Sequence, residues 1–353
     1  MFFLHLRPNI LILSLFYLVL CALASAQERA QIAAVGFYNF ENLFDTEDDP
    51  AIDDEEFTPD GRNRWTEIRY HTKLQQLAQV VSELGTELTP DGLALLGVAE
   101  VENRKVLADF SLEPKVRDRN YQIIHYDSPD RRGIDVALLY NPKYFSPLHS
   151  EAIRVPLFEP NGDTIFTRDV LYVSGLFLED TLHLLVNHWP SRRGGQKASE
   201  PRRIAAAMKN KQISDSLRTR NPQANILIMG DLNDDPVNRS VKKVLDATNR
   251  PDKLGPKGFF NPMYDLFKQG IGTLAYRDAW SLFDQILISP GLLSGEEGLW
   301  YYSAEIFNPP YLQQQTGAFQ GYPLRTYGGG TYLGGYSDHF PVYVYLVRKM
   351  TSP

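Results

Sequence analysis

Short apolar runs recur along the chain, at residues 32–37, 93–99, 121–126, 134–140, 170–178, 182–187, 225–229, 285–289 and 342–347. Runs of this length, rich in β-branched and aromatic side chains and bounded by polar residues, predict buried strands. Two stretches have helical spacing instead. Over 66–84, Tyr70, Leu74, Leu77, Val81 and Leu84 step by four and three, which draws one apolar stripe down a helix. Over 199–217, Pro201 falls in the first turn and Ile204, Met208 and Ile213 supply the apolar positions. The runs 170–178 and 182–187, separated by a short polar break, read as a hairpin. Many strands with few helices between them predict two sheets packed face to face with helices outside, rather than a purely parallel βα alternation. No repeat or low-complexity linker divides the chain.

The start of the chain has a different pattern. Residues 10–24 are almost wholly apolar, follow Arg7, and end in Ala24-Ser25-Ala26. A basic start, an apolar middle and a small-residue exit predict a secretory signal peptide at 1–26 and a single domain at 27–353. The run is shorter than the roughly 20 residues that span a bilayer, so no stable membrane anchor is expected after cleavage, and the protein is expected to be periplasmic or extracellular. The single cysteine, Cys21, lies inside this run. Its loss with the leader excludes a disulfide framework and thiolate-bound zinc.

Charge narrows the chemistry further. Lys and Arg number 36 against 43 acidic residues, a net of −7, and losing Arg7 makes the balance more negative. An acidic protein binds nucleic acid poorly by bulk attraction, so a polyanionic substrate would need a local basic patch or a metal ion. The acidic stretch 45–60 lacks the Asp-x-Asp-x-Asp-Gly spacing of a calcium loop and reads as a solvated loop. Residues 300–336 hold seven tyrosines and one basic residue, Arg325. That segment fits either an aromatic substrate wall or a self-packed lobe. No amphipathic helix or apolar hairpin suited to a membrane surface is evident.

Candidate chemistry gathers where strands run out into polar residues. One strand leads into Asn39, another into Glu100, a third into Asn187-His188-Trp189, and a fourth into Gly230-Asp231-Leu232-Asn233. Ser337-Asp338-His339 precedes the last strand. Each alone has an ordinary turn or structural reading. Polar groups at the ends of several buried strands, however, can converge on one sheet edge.

This order of motifs, with Asp284 in Phe283-Asp284-Gln285-Ile286, resembles the endonuclease/exonuclease/phosphatase superfamily, which includes DNase I. Gly-Asp-x-Asn and a terminal Ser-Asp-His form a specific pair, and the resemblance spans about 32–347. It implies an α/β fold, a four-layered α/β/β/α sandwich with the site at one end of the sheets. It implies a metal-dependent phosphoesterase, with Glu100 as principal ligand of Mg²⁺ or Mn²⁺ and Asn39 and Asp338 as further ligands. His339 becomes the general base, Asp284 its orienting carboxylate, Asp231 an aligner of water or metal, and Asn233 a donor to phosphate oxygen. His188, where apurinic endonucleases have asparagine, is assigned to phosphate contact or leaving-group protonation. Arg192 and Arg193 supply the local basic patch; Arg202 and Arg203 read as solvated surface. Asp135, in the segment where relatives carry varied substrate-contacting residues, is a further candidate. The chain departs from the family in having Ser281-Leu282-Phe283, without arginine, before Asp284.

A nuclease leads the readings, with nucleic acid as substrate and no protein partner inferred. A sphingomyelinase-like or inositol-phosphate-type phosphatase is the alternative. A non-catalytic binding protein on the same fold is disfavoured by the full complement of candidate residues.

Overall fold

A computed structural model describes residues 30–159, 161–293 and 298–349. The expected leader at 1–26 lies outside the described residues. Two sheets carry the fold. The first contains β1 (Ala30–Leu43), β2 (Leu93–Val101), β3 (Gln122–His125), β4 (Asp135–Tyr140), β12 (Leu299–Ile306) and β13 (Val342–Lys349), in the order β12-β13-β1-β2-β4-β3. The second contains β5 (Phe145–Ile153), β6 (Val170–Phe177), β7 (Asp180–His188), β8 (Asn225–Asp231), β9 (Ala247–Thr248), β10 (Phe259–Phe260) and β11 (Asp284–Ile288), in the order β9-β10-β11-β8-β7-β6-β5.

Period-two alternation explains why these strands are apolar on both faces. On β1, Ala33, Val35 and Phe37 enter the core between the sheets, while Ala34, Tyr38 and Phe40 enter a second core beneath helices. On β8, Leu227 and Met229 face the inter-sheet core, and Ile226 and Ile228 face a third core under the opposite helix layer. The outer layers are α1 (Glu67–Glu83) and α2 (Arg104–Ser111) on one side and α3 (Gln196–Arg220) on the other. Three cores between four layers make an α/β/β/α sandwich. The sheets pack tightly at Gly97, where a Cβ would come within 3.0 Å of Met229 Cε and 3.1 Å of Val186 Cγ1.

Three local expectations change. Helix α3 starts at Gln196, so Pro201 sits in its second turn and removes the N–H that would bond to Lys197. Its buried face is largely polar: Arg203, Asn210 and Ser214 are buried, whereas Met208 is 60% exposed. Asn210 exchanges amide hydrogen bonds of 2.7 and 3.0 Å with Asn187 of β7, which satisfies two groups that burial would otherwise leave costly. The acidic stretch is not wholly solvated. Asp45 and Asp54 are buried, with Asp45 paired to Lys105 at 3.2 Å, and Phe57 packs in a core.

The tyrosine-rich segment opens as β12 and then folds onto α1. Tyr311 donates to Glu83 Oε2 at 2.8 Å and Tyr327 to the Asn63 carbonyl at 2.9 Å. The buried Lys73 Nζ donates at 2.7 Å both to Thr326 Oγ1 and to the Tyr336 carbonyl. Thr326 in turn donates to Glu41 Oε2 on β1, 2.7 Å away. Of the two readings for this segment, the packing supports the lobe.

Candidate active site

The ends of β1, β2, β7, β8 and β11 and the segment before β13 meet at one end of the sandwich. Several of their residues adopt left-handed backbone angles that side chains disfavour: Glu41 (φ 48°), Asn42 (φ 50°), Glu100 (φ 59°) and Asn233 (φ 49°). Such strain persists where surrounding contacts fix it, and it clusters at functional sites. Gly230 is needed for a steric reason, since a Cβ there would lie 2.1 Å from the Asn187 carbonyl oxygen. Its absence lets β8 run against β7 and brings Asp231 level with His188.

Asn39 holds the centre. Its Nδ2 donates to Glu100 Oε1 at 3.2 Å and to Asp231 Oδ2 at 3.3 Å, while its Oδ1 accepts the Glu41 N–H at 2.9 Å. Glu100 Oε2 accepts the Asn42 N–H at 3.1 Å. His188 Nε2 lies 3.7 Å from Glu100 Oε1 and 3.6 Å from Asp231 Oδ2, beyond hydrogen-bond length. His339 Nδ1 is 2.6 Å from Asp284 Oδ2, and its Nε2 faces Asp231 Oδ2 at 3.8 Å. Ser337 fixes that segment by donating to the Asn39 carbonyl and accepting the His339 N–H.

The two histidines are tuned in opposite directions. Burial, reinforced by Arg168, Arg132 and His339, pushes His188 well below the usual imidazole range, so it is neutral. Burial also works against protonation of His339, but Asp284 and Asp231 outweigh it and hold the ring well above that range. Burial raises Asp231. Asp338 goes the other way, because His339 and Arg325 outweigh the effect of its burial. Titratable groups driven apart in this way mark a site built for proton transfer.

These groups line an open cleft of about 340 Å³ whose floor includes Glu100, His188, Asp231, Asn233 and His339 and whose walls include Arg132, Arg168 and Arg193. A model of the endonuclease/exonuclease/phosphatase family matches residues 34–348. The chain belongs to that family.

Solved structures share the fold at low identity. Humanized D. rerio TDP2, carrying 14 mutations, is 13% identical with a TM-score of 0.53, covering 89% of this chain and 98% of its own. D. rerio TDP2 complexed with a single-strand DNA product is 12% identical with a TM-score of 0.53, covering 90% and 99%. A family protein from Bacteroides thetaiotaomicron is 13% identical with a TM-score of 0.52, covering 92% and 100%. No curated protein sequence matches the chain.

Within this family member, some expected residues sit elsewhere. Arg192 turns away from the cleft: it bonds the Asn233 carbonyl at 2.9 Å, Asp235 at 2.8 Å and Asn238 at 2.9 Å, and stacks over Phe283. It braces the loop after Asp231, leaving the exposed Arg193 as the member of the pair that lines the cleft. Arg203, expected on the surface, is fully buried and pairs with Asp234 at 2.8 Å. Asp135 bonds His125 Nε2 at 3.0 Å and the Ser128 N–H at 2.8 Å, so its carboxylate serves the β3–β4 edge. Asn39 turns its amide nitrogen to the two carboxylates and its Oδ1 to the Glu41 N–H. It positions Glu100 and Asp231. Asp338 pairs with Arg325, and its Oδ1 lies 3.9 Å from His339 Nε2, the ring nitrogen that also faces Asp231; it falls outside the Glu100–His188–Asp231 group. Asn233 commits one amide proton to the Trp189 carbonyl at 3.0 Å, which leaves the other for a ligand.

Arg168 escaped the sequence reading. It donates to the His188 and Trp189 carbonyls at 3.2 and 2.7 Å and pairs with Asp130 at 2.8 Å. No motif marks it, because its partners lie 20 or more positions away.

Proposed function

We propose that this family member is a secreted, divalent-metal-dependent phosphodiesterase whose preferred substrate is nucleic acid. The observation that carries the reading is the Glu100–His188–Asp231 group, whose potential ligand atoms lie within 4.8 Å of one another on the cleft floor beside a carboxylate-backed histidine. Within the donor set the two carboxylate oxygens, with no sulfur, fit a hard cation such as Mg²⁺ or Mn²⁺, whereas the neutral imidazole is a borderline donor. Glu100 and Asp231 would hold Mg²⁺ or Mn²⁺, with His188 as a third donor. When bound, such an ion supplies charge stabilisation to a phosphoryl oxygen and to the leaving oxygen.

The chain's own groups account for the rest. His339 Nε2 takes a proton from the attacking water as its oxygen bonds to phosphorus and the ester P–O bond breaks. Asp284 fixes the ring through Nδ1 and stabilises the imidazolium that results. Against its burial, Asp284, Asp231 and Asp338 hold His339 above the usual imidazole range, so any charge that offsets Asp231 favours the neutral ring that acts as a base. The free amide proton of Asn233 and the guanidinium of Arg193 meet the phosphate oxygens.

The D. rerio TDP2 complex with single-strand DNA product supports the nucleic-acid reading by likeness of fold. One observation favours the alternative. A short hairpin at the cleft rim, Leu157–Phe158 with Thr164–Ile165, leaves Phe158 63% exposed, and the adjoining Phe166 is 53% exposed. The sequence reading saw no such hairpin, and these rings could enter a lipid interface.

Mature protein assayed with plasmid DNA, single-stranded DNA, RNA, sphingomyelin vesicles and inositol phosphates, with Mg²⁺ or with chelator, tests the reading. Mg²⁺-dependent cleavage of nucleic acid is expected. Hydrolysis of sphingomyelin or inositol phosphate alone would install the alternative, and full activity in chelator would remove the metal. Mass spectrometry of exported protein should find its start at or near Gln27; retention of residues 10–24 would refute cleavage.

A further inference from the structure

Helix α3 is a concentration of positive charge in an acidic protein, with seven basic residues against two acidic ones. Two of the seven serve the fold: Arg203 pairs with Asp234, and Arg218 bonds the Lys257 and Gly258 carbonyls. The others reach solvent, and three of them fall on one line. At 100° per residue, Arg202, Lys209 and Arg220 lie within about 20° of a common direction, over a length of about 27 Å. Arg202 lines the active cleft. Lys209 and Arg220 line a separate groove of about 620 Å³ between α3 and the β5–β6–β7 face.

That groove is chemically suited to phosphate. His149, Tyr172 and His183 contribute to its lining, and Glu151 is the sole acid there, held 3.5 Å from His149. Tyr172 is buried beneath the two imidazoles and stacks with His183 at 6.0 Å. Its hydroxyl meets His183 Nδ1 at 2.9 Å. Burial keeps the phenol protonated, and burial together with Arg220 keeps the imidazole neutral. The hydroxyl therefore donates to Nδ1, which places the imidazole proton on Nε2. Among the described residues Arg202 pairs with Glu159 at 3.0 Å, an exposed pair of little energetic worth that a phosphate can displace.

We propose that the α3 stripe and the groove beside it form an exosite for the phosphate backbone of a single nucleic-acid strand leaving the active cleft, which rests on the nuclease reading above. Arg193 and Arg202 take the strand at the cleft, and Lys209, His183 and Arg220 take it further along. The contacts are electrostatic and remote from the reacting bond, so they act on binding rather than on the chemical step.

The test uses the mature protein and its Lys209→Ala/Arg220→Ala variant, neither residue belonging to the catalytic group. Substrates are a long single-stranded oligonucleotide and a dinucleotide too short to leave the cleft. The variant should raise KM for the long strand roughly tenfold at low salt and flatten its salt dependence by about 1.4 in log–log slope, from two lost phosphate contacts on a single strand. Turnover of the dinucleotide should not change. Fluorescence anisotropy of the labelled oligonucleotide in chelator reads binding without catalysis and should weaken by a similar factor. Cleavage of the long strand with unchanged KM and slope overturns the exosite alone, as does an equal loss on the dinucleotide. Strand binding that depends on Lys209 and Arg220 without any cleavage overturns the nuclease reading and leaves the exosite standing. Absence of both binding and cleavage overturns both.

Discussion

Replacing Asp284 by Asn tests the central pair with little steric disturbance. Asp284 Oδ2 lies 2.6 Å from His339 Nδ1, both side chains are buried, and Oδ1 has no partner. An amide can thus keep its oxygen on the Nδ1–H and turn its nitrogen to the unpartnered side. What is lost is the charge. A hydrogen bond to a charged group contributes about 1.5–3 kcal/mol, and if all of it is realised in the transition state the rate falls roughly 10- to 150-fold. His339→Ala removes the base itself and should cost about 100-fold or more at saturating substrate. Because Asp284 acts through the ring, adding Asp284→Asn to His339→Ala should cost almost nothing further, a coupling of about 1.5–3 kcal/mol. The assay is kcat for a chromogenic phosphodiester at saturating Mg²⁺, followed across pH for wild type and Asp284→Asn. Asp284 raises the His339 pKa, so its loss should move the acid limb of the profile to lower pH. Multiplicative losses in the double variant, or an acid limb that does not move, would refute the pairing.

Glu100→Ala should lose nearly all turnover while circular dichroism remains native, and chelation should do the same to wild type, with restoration by Mg²⁺ or Mn²⁺; rescue by Zn²⁺ alone would indicate a different site. Arg192→Ala should lower stability by about 2 kcal/mol, since it frees Asp235 and the Asn233 carbonyl from a shared cation, whereas Arg193→Ala should raise KM with melting unchanged. Glu102 is buried and accepts the Asp45 N–H at 2.7 Å; burial, against that hydrogen bond, pushes its carboxyl up from 4.5 to about 7. A folded pKa above the unfolded one means that stability is full below about 4.5 and falls as pH rises to about 7. Glu102→Gln should therefore add about 3 kcal/mol in urea denaturation at pH 8 and nothing at pH 4; an equal gain at both would contradict the assignment.

The strands were legible because their alternation is local. Val35 and Phe37 against Ala34 and Tyr38 is a pattern visible within five residues, and burial on both faces makes it dense in apolar side chains. Strand β5 was missed because it lies at a sheet edge and carries exposed Ser146, Pro147, Leu148 and His149, which give no apolar run. The stripe on α3 misled because the helix packs through Arg203 and Asn210, whose burial is compensated by Asp234 in the loop after β8 and by Asn187 of β7. Such compensation has no local signature. Lys73 shows the same thing: its partner Thr326 is 253 positions away. The strand-end residues were found because Gly-Asp-x-Asn and Ser-Asp-His keep their chemistry in consecutive positions. Arg192, drawn from the same kind of neighbourhood, could not be told from Arg193 until Asp235 and Asn238 were placed around it.

Under the proposed function an acidic protein acts on a polyanion, which requires attraction to be separated from chemistry, and the charges fit that division. The cleft floor carries the carboxylates of Glu100 and Asp231, with Asp284 buried behind His339, and these repel a phosphodiester until a cation offsets them. Most cations near that floor are already committed: Arg168 to Asp130 and two carbonyls, Arg132 to Asp130 at 3.6 Å, Arg325 to Asp338. They fix the geometry of His188 and His339 and contribute little net attraction. The α3 stripe lies outside this cancellation, since its length carries it away from the carboxylates. Contacts there are made equally by substrate and transition state, so they lower KM without altering the chemical barrier. In the proposed reaction, contacts on the floor change as the water oxygen approaches phosphorus, and they set kcat.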